Sequence, residues 1–274
     1  MPLAHMHPAD LAPADWRMSM EEMTAYAVAW RTGGVWELPP NPIPIDYVTC
    51  AAALWRGGEI YEIDTRIGGP PGWWVNTTMP LKTPVRLSEL SSSVTRIVPG
   101  AFVPGDTVKI AVQVTPPGAA RAYAVEEALP PGTTLTSISH GGVVDAASRR
   151  VKWGPFLDAA PRVLEYQLLT QSSILSDITF QGNASFDGFG TIPEGGILSR
   201  CGALLTCSPQ QPGTLNLSLR LRGVPGASYA LESSVDLEHW TAFTTVTDSD
   251  NETIILPNTR DTAGKRYYRA KLLP

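Results

Sequence analysis

Five proline-glycine or glycine-glycine interruptions cut the stretch from Ser91 to about Arg200: Pro99-Gly100, Pro104-Gly105, Pro116-Pro117-Gly118, Pro130-Pro131-Gly132 and Gly141-Gly142. Proline fixes φ and has no amide hydrogen, and glycine favours turns, so no long helix fits between these points. What fits is a series of short strands. In Val108, Ile110, Val112 and Val114 apolar residues fall on every second position, which gives a strand one buried face. Similar runs occur at Val94–Val98, Arg121–Glu126, Val151–Trp153, Val163–Leu169 and Ile178–Phe186. About six strands with turns every ~8–12 residues predict a β-sandwich over residues 91–200. A further block, residues 213–274, opens on the alternation Leu215, Leu217, Leu219, Leu221 and continues through Tyr229-Ala230-Leu231, Trp240 and Tyr267–Ala270. It predicts a second, smaller sandwich, joined to the first by a linker at 201–212.

Composition agrees with a turn-rich architecture and narrows the partners. Charged residues make up 17% of the 274, and glycine and proline contribute 24 and 25, against averages of about 25% charged and about 12% glycine plus proline. A net charge of −5 supplies no positive field for phosphates, which argues against nucleic acid and anionic membrane surfaces as partners. No apolar run approaches the roughly 20 residues a bilayer span needs, so membrane insertion is not expected. Met1-Pro2-Leu3-Ala4-His5 lacks the basic-then-apolar order of a signal peptide. If the chain is secreted, it is expected to be a mature piece or a fragment whose neighbours are other domains of a longer parent chain.

The first 79 residues are built from different material. All six methionines lie at or before Met79, and of the eight tryptophans only Trp153 and Trp240 lie beyond Trp74. The segment Pro80-Leu81-Lys82-Thr83-Pro84 fits an extended linker at 80–90. Within 1–79 there is a repeat: MSMEEMTAYAVAWRTGGVW from Met18 overlies IPIDYVTCAAALWRGGEIY from Ile43, matching Thr24 with Thr49, Ala27 with Ala52, Trp30 with Trp55, Arg31 with Arg56 and Gly33 with Gly58. Each copy predicts a helix of about twelve residues. Ser19 and Glu22 have capping-box spacing, and Gly33 and Gly58 suit left-handed C-caps. The two apolar faces would pack on each other as an antiparallel pair.

This duplicated loop-helix pattern resembles type I dockerins, and the resemblance implies EF-hand-like calcium loops. Asp10, Asp15, Ser19 and Glu22 stand ahead of the first helix. The interval from Asp10 to Glu22 is one residue too long for such a loop, and Ala12 and Ala14 occupy ligand places. The second loop, Leu38-Pro39-Pro40-Asn41-Pro42, offers a cation almost nothing. The resemblance therefore leaves one weak calcium site at Asp10, Asp15 and Glu22, or solvated carboxylates that serve only the helix dipole. The pair His5 and His7, with Asp10, is a second candidate, for a transition-metal ion, because alternate histidines on an extended strand point the same way. Its other reading is a frayed terminus.

The string YAVEEALPPGTTL, followed by VKWGPF, RVLEYQL and GNASFDG, resembles Ig-like repeats of large bacterial surface proteins. That resemblance implies a spacer or adhesion module with Trp153 and Tyr166 in its core. GVPGASYALESSVDLEHW and the closing YYRA are similar to a C-terminal β-module of secreted proteins from Verrucomicrobia-like bacteria. Together these imply a mostly β chain, a dockerin-like helical pair followed by two sandwiches, of the kind found in non-catalytic tails of secreted or surface proteins.

Chemistry is sparsely signalled. Gly226-Ala227-Ser228-Tyr229-Ala230 fails as a nucleophile elbow at its last place, and Glu126-Glu127, adjacent on a strand, face opposite sides. His140 beside Ser139 is a catalytic candidate, with a polar turn residue as its other reading. Cys201 and Cys207 could close a small disulfide loop, and Cys50 reads as a buried small hydrophobe. Binding is better motivated: Pro70-Pro71-Gly72-Trp73-Trp74 puts two indoles beside a stiff turn, with Asn76 nearby. Trp73, Trp74 and Asn76 are candidates to hold a carbohydrate or an apolar protein edge, although alternation would bury one of the two indoles. The expected function is a non-catalytic extracellular or cell-surface interaction module. The alternative is a hydrolase, a broad-specificity esterase or metal-assisted phosphoesterase, using His5, His7, Asp10 or His140 at a domain junction.

Overall fold

The structure is a computed structural model that describes residues 5–77, 92–209, 217–224, 226–247, 253–255 and 266–273. The chain is mostly β, with two helices and several sheets of sandwich type. It divides into two compact units: Met1–Val98 with Lys109–Leu168 and Thr179–Ile197, and Pro99–Val108 with Leu169–Ile178 and Leu198–Pro274.

Helix α1 spans Met20–Thr32 and α2 spans Ile45–Arg56. The capping box at α1 is present: Glu22 N–H donates to Ser19 Oγ at 3.2 Å, and the Glu22 carboxylate accepts from Ser19 N–H at 3.0 Å. Gly33 ends the helix at φ 71°. The second copy ends differently, at Gly57 with φ −82°, and Gly58 follows at φ 113°. Gly57 is small for a steric reason, because a Cβ there would sit 1.8 Å from Asn76 Oδ1.

The helical pair does not close its core on itself. Helix α2 buries Ile45, Val48, Thr49, Cys50, Ala51, Ala52, Ala53 and Leu54, nearly its whole circumference, as a helix with neighbours on several sides must. Its alanines allow close approach, and Ala122 and Ala124 of the following β block share the same hydrophobic cluster. Thr49 Oγ1 lies 2.7 Å from Ser185 Oγ and accepts from Gly188 N–H at 2.9 Å. The helices and the middle β block thus fall in one compact unit, where a division near residue 80 was expected. The linker expected at 80–90 lies outside the described residues.

A five-stranded sheet has the order Phe189–Thr191, Gly182–Phe186, Tyr123–Ala128, Arg150–Phe156, Val143–Asp145. A four-stranded sheet has the order Ser93–Ile97, Thr107–Thr115, Arg162–Thr170, Thr133–Ile138. Val108, Ile110, Val112 and Val114 are all buried, as their alternation predicts. Trp153 and Tyr166 are core residues with ring centroids 5.7 Å apart. Between the sheets lies a buried ion pair, Arg96 donating to both oxygens of Glu127 at 2.7 and 2.8 Å, with the Tyr166 hydroxyl adding a bond at 3.2 Å. Burial, foremost, raises the Glu127 pKa, and the Arg96 contact opposes it.

In the second unit, Ala203–Pro209, Leu217–Gly223 and Thr253–Ile255 form one sheet, and Thr241–Thr247, Ser228–Ser234 and Tyr267–Leu272 another. Leu221, Tyr229 and Leu231 are its buried centre. The region expected to link the sandwiches at 201–212 is largely strand: Ala203–Pro209 pairs with Leu217–Gly223 from Ala203↔Gly223 to Pro209↔Leu217.

Candidate binding cleft

The N-terminal loop is held by polar groups turned inward. Asp10 accepts from the backbone amides of Asp15 and Trp16 at 3.1 and 3.0 Å and from the Tyr61 hydroxyl at 2.6 Å. Glu22 accepts from the amides of Leu11, Ala12 and Ser19 at 2.9, 2.8 and 3.0 Å. These two carboxylates close the loop on its own N–H groups, and Asp15 is exposed. Burial is the main cause of an Asp10 pKa above its ordinary value, opposed by the bonds it accepts.

His7 sits at the middle of an aromatic cluster, 4.6 Å from Trp74 and 5.5 Å from Tyr26 between ring centroids. Its Nδ1 accepts from Ala9 N–H at 3.1 Å, so the proton is on Nε2, which donates to Tyr47 O at 3.0 Å. Complete burial lowers its pKa to about 3, and the Tyr47 carbonyl opposes that only in part. The imidazole is neutral. His5 is exposed, and its carbonyl accepts from the Trp74 indole at 2.9 Å. The two histidines therefore do not form the expected pair, because Ala9 and Tyr47 use both nitrogens of His7. Among the described residues no group of three or more His, Cys, Asp or Glu side chains could hold a metal ion.

Beside this cluster opens a cleft of about 880 Å³, lined by His5, Trp16, Tyr61, Ile63, Ile67 and Trp73, with Glu62, Thr65, Gly68 and Thr77 completing the wall. Two short strands build it. Tyr61–Ile63 pairs antiparallel with Trp74–Asn76, and the connecting loop is folded on itself by Asp64 N–H to Trp73 O at 2.8 Å and Trp73 N–H to Gly69 O at 3.2 Å. Trp16 is held at φ 66°, a left-handed conformation that costs a bulky residue about 1–3 kcal/mol. Asp10 fixes its amide, and its carbonyl accepts from Tyr61 N–H at 3.2 Å. The result is an indole set 5.3 Å from the Tyr61 ring, tilted by 46°. Trp73 is half-buried and meets Trp74 edge-on at 5.8 Å.

Of the predicted binding residues, Trp73 lines the cleft, whereas Trp74 is buried in the aromatic cluster. Asn76 is a tether: its amide donates to Leu54 O at 2.7 Å, and its oxygen accepts from Arg121 at 2.7 Å. Trp16, Ile63 and Ile67 are cleft residues that pattern reading missed. Trp16 did leave a trace, since the 25-residue offset sets it against Asn41 and the repeat does not explain it.

His140 is in a tight turn, with His140 and Gly141 both at positive φ and Gly142 N–H donating to Ser139 O at 3.0 Å. Its Nδ1 lies 2.9 Å from Ser139 Oγ, which also accepts from Glu165 N–H at 2.7 Å. The turn serves packing: Trp153 donates to Ser139 O at 3.0 Å and Arg31 donates to Gly141 O. His140, exposed on this turn, is not brought together with His7 or Asp10, both buried in the N-terminal loop. Cys201 and Cys207 are free thiols. The strand Ala203–Pro209 carries the chain away at ~3.3 Å per residue, well past the roughly 7 Å Cα separation a disulfide tolerates. Cys50 is buried and its Sγ is 3.4 Å from Pro71 O.

No protein-family model matches the chain, and no curated protein matches it in sequence. Among solved structures, it is similar to the C-terminal domain of the AgI/II polypeptide BspA from Streptococcus agalactiae, at 11% identity and a TM-score of 0.29, over 58% of this chain and 77% of that one. Among the described residues, no helix is long and apolar enough to cross a membrane.

Proposed function

We propose that the chain is a non-catalytic interaction module of a secreted or cell-surface bacterial protein, and that the cleft at Trp16, Tyr61 and Trp73 grips its partner. The observation that carries this reading is the cleft itself. Its volume falls in the ~300–1,000 Å³ range of ligand sites, and Trp16, which lines it, is fixed in a left-handed backbone conformation by bonds to Asp10 and Tyr61. Backbone strain of this kind clusters at ligand clamps and active sites, which supports reading the cleft as a binding face. A helical pair ahead of sheets of sandwich type fits an appended module of a longer parent chain, and Asp10 and Glu22 spend their oxygens on backbone amides rather than on a cation.

Between the two ligand classes, the lining favours a protein segment over a sugar. Ile63, Ile67 and the indoles dominate the wall, while polar side chains able to satisfy sugar hydroxyls are few. The test is binding of the whole chain to a glycan array and to a peptide array, alongside Trp16→Ala and Trp73→Ala. Peptide binding lost in both variants is the expected result. Glycan binding lost in both would shift the ligand class, and binding indifferent to both would remove the cleft from the function.

A further inference from the structure

The strand Phe189–Thr191 ends one side of the five-stranded sheet, and all three of its residues are exposed. It folds back from Gly182–Phe186 through Asp187 and Gly188, both at positive φ, with the pairs Phe186↔Phe189, Ser185↔Gly190 and Ala184↔Thr191. In a two-residue hairpin the pair beside the turn exchanges both main-chain bonds and the next pair exchanges none. The N–H and C=O of Gly190 therefore point outward, along the edge of the sheet. Gly190 also stands at a cavity of about 300 Å³ lined by Pro44, Ile45, Asp46, Glu126, Asn183 and Ile192. It shares a face with Ser185, whose hydroxyl meets Thr49 of α2, so the cavity lies on the face that α2 covers. A Cβ on Gly190 would fall 3.0 Å from Asp46 Oδ1 and 3.1 Å from Oδ2. Glu126 is held by Arg150 at 2.9 Å and by the Asn183 amide at 3.1 Å. Asp46 has no ion-pair partner among the described residues, and its Oδ1 is buried without a hydrogen bond. Burial is the main cause of an Asp46 pKa above its ordinary value; a Ser185 hydrogen bond opposes it, and the Glu126 charge adds to it.

A strand added antiparallel to this edge would exchange both main-chain bonds with Gly190. Its residue opposite Gly190 projects to the same face, with a Cβ about 5 Å from where a Gly190 Cβ would stand. That Cβ is then no more than about 8 Å from the Asp46 carboxylate, within reach of a long cationic side chain. We infer that Phe189–Thr191 is a pairing edge for an extended segment of a partner protein, and that the segment's residue opposite Gly190 is a lysine whose ammonium enters the cavity to meet Asp46. Pro44, Ile45 and Ile192 supply apolar surface for its stem. A compact ammonium suits one unpaired carboxylate in a small cavity, where the planar fork of arginine asks for two acceptors. Because the strand has three residues, main-chain bonds are few and the lysine carries most of the specificity. The net charge of −5 favours the approach of such a segment. This is a second contact surface, beyond the cleft at Trp16, and neither depends on the other.

The experiment is a titration of the ¹⁵N-labelled whole chain, following the Gly190 amide signal, with short capped peptides of alternating threonine and valine. These carry lysine, norleucine or backbone N-methyl-lysine at the centre. The lysine peptide should move the Gly190 signal and bind about tenfold more tightly than the norleucine peptide, the effect of one hydrogen bond between charged groups. The N-methyl peptide should bind severalfold more weakly than the lysine peptide, because it cannot donate to the Gly190 carbonyl. In Asp46→Asn, a neutral isostere of a carboxylate that burial disfavours, the preference for lysine over norleucine should disappear. No movement of the Gly190 signal, equal binding of the lysine and norleucine peptides, or a lysine preference that survives in Asp46→Asn would overturn the assignment. Undiminished binding of the N-methyl peptide would overturn the strand pairing. Movement confined to the Trp16 and Trp73 indole signals would also overturn this site, while supporting the cleft as the binding face.

Discussion

The Lys152 ammonium donates to the carbonyl of Trp30 at 2.6 Å, joining a β-strand to the last turn of α1. It also meets Asp145 at 2.8 Å and lies 5.3 Å from the Trp30 ring centroid. Carbonyls at a helix C-terminus lack partners within the helix, so a buried cation there satisfies both the helix end and Asp145. Burial works against the Asp145 charge, but Lys152 and Ser148 outweigh it and hold the pKa at about 2. Lys152→Met should therefore cost about 3–5 kcal/mol in urea unfolding, because it strands a buried carboxylate. Pairing it with Asp145→Leu should recover a large part of that loss, and a double variant as unstable as the single one would contradict this account.

Much of the architecture was legible because its signals are local. The capping box at Ser19 and Glu22, the alternation from Val108 to Val114, and Gly33 at positive φ each depend on neighbours within a few residues. What could not be read depends on contacts distant in sequence. Lys152 looks like an ordinary strand lysine until Trp30 stands beside it, 122 positions away in the chain. Asn76 reads as a ligand group until Leu54 and Arg121 take its amide. Trp16 could not be assigned to the cleft because nothing in an Ala-Asp-Trp sequence announces a left-handed backbone. Cys201 and Cys207 drew attention to a disulfide and hid a strand, since a pairing of residues 203–209 with 217–223 is set by register and not by cysteine spacing.

His7 makes stability depend on pH. Its pKa is about 3 when folded against 6.5 ordinarily, so between these values the unfolded chain binds a proton that the folded chain excludes. Its contribution is therefore complete above about pH 6.5 and is lost as pH falls toward 3, by about 1.4 kcal/mol per pH unit. Asp10, whose pKa burial raises, acts in the opposite sense near the acid end. Unfolding free energies from urea titrations at pH 7 and pH 5 should differ by about 2 kcal/mol, and His7→Gln should flatten the difference. An imidazole signal that titrates near pH 6.5 would show that His7 is not enclosed.

Gly57 and Asn76 should behave as a packing pair. The backbone of Gly57 lies at φ −82°, so alanine meets no dihedral penalty, but its Cβ would fall 1.8 Å from Asn76 Oδ1 and 2.5 Å from Arg121 Nη1. Gly57→Ala should cost about 1–3 kcal/mol through overpacking. Asn76→Ala should destabilise by a similar amount, by removing both the amide that donates to Leu54 O and the oxygen that accepts from Arg121, yet leave peptide binding at the cleft unchanged. A binding loss in Asn76→Ala at full folding would restore Asn76 as a ligand residue.

The loop ahead of α1, where a weak calcium site was expected, turns its carboxylates on its own backbone. Asp10 and Glu22 spend their oxygens on five backbone amides, of Asp15, Trp16, Leu11, Ala12 and Ser19, and on the Tyr61 and Ser19 hydroxyls. A cation entering there would displace these bonds before gaining any, so its net binding energy is small. Millimolar calcium should raise the melting temperature by less than about 1 °C, where a site occupied at a hundred times its dissociation constant would add about 2.7 kcal/mol. Glu22→Gln should lower stability by about 1–3 kcal/mol with or without calcium, because a neutral amide side chain accepts weakly where a charged carboxylate held three N–H groups. Calorimetry of both forms, with and without chelator, separates the cases. A calcium-dependent rise confined to the parent chain would mean that the loop rearranges to take up the ion.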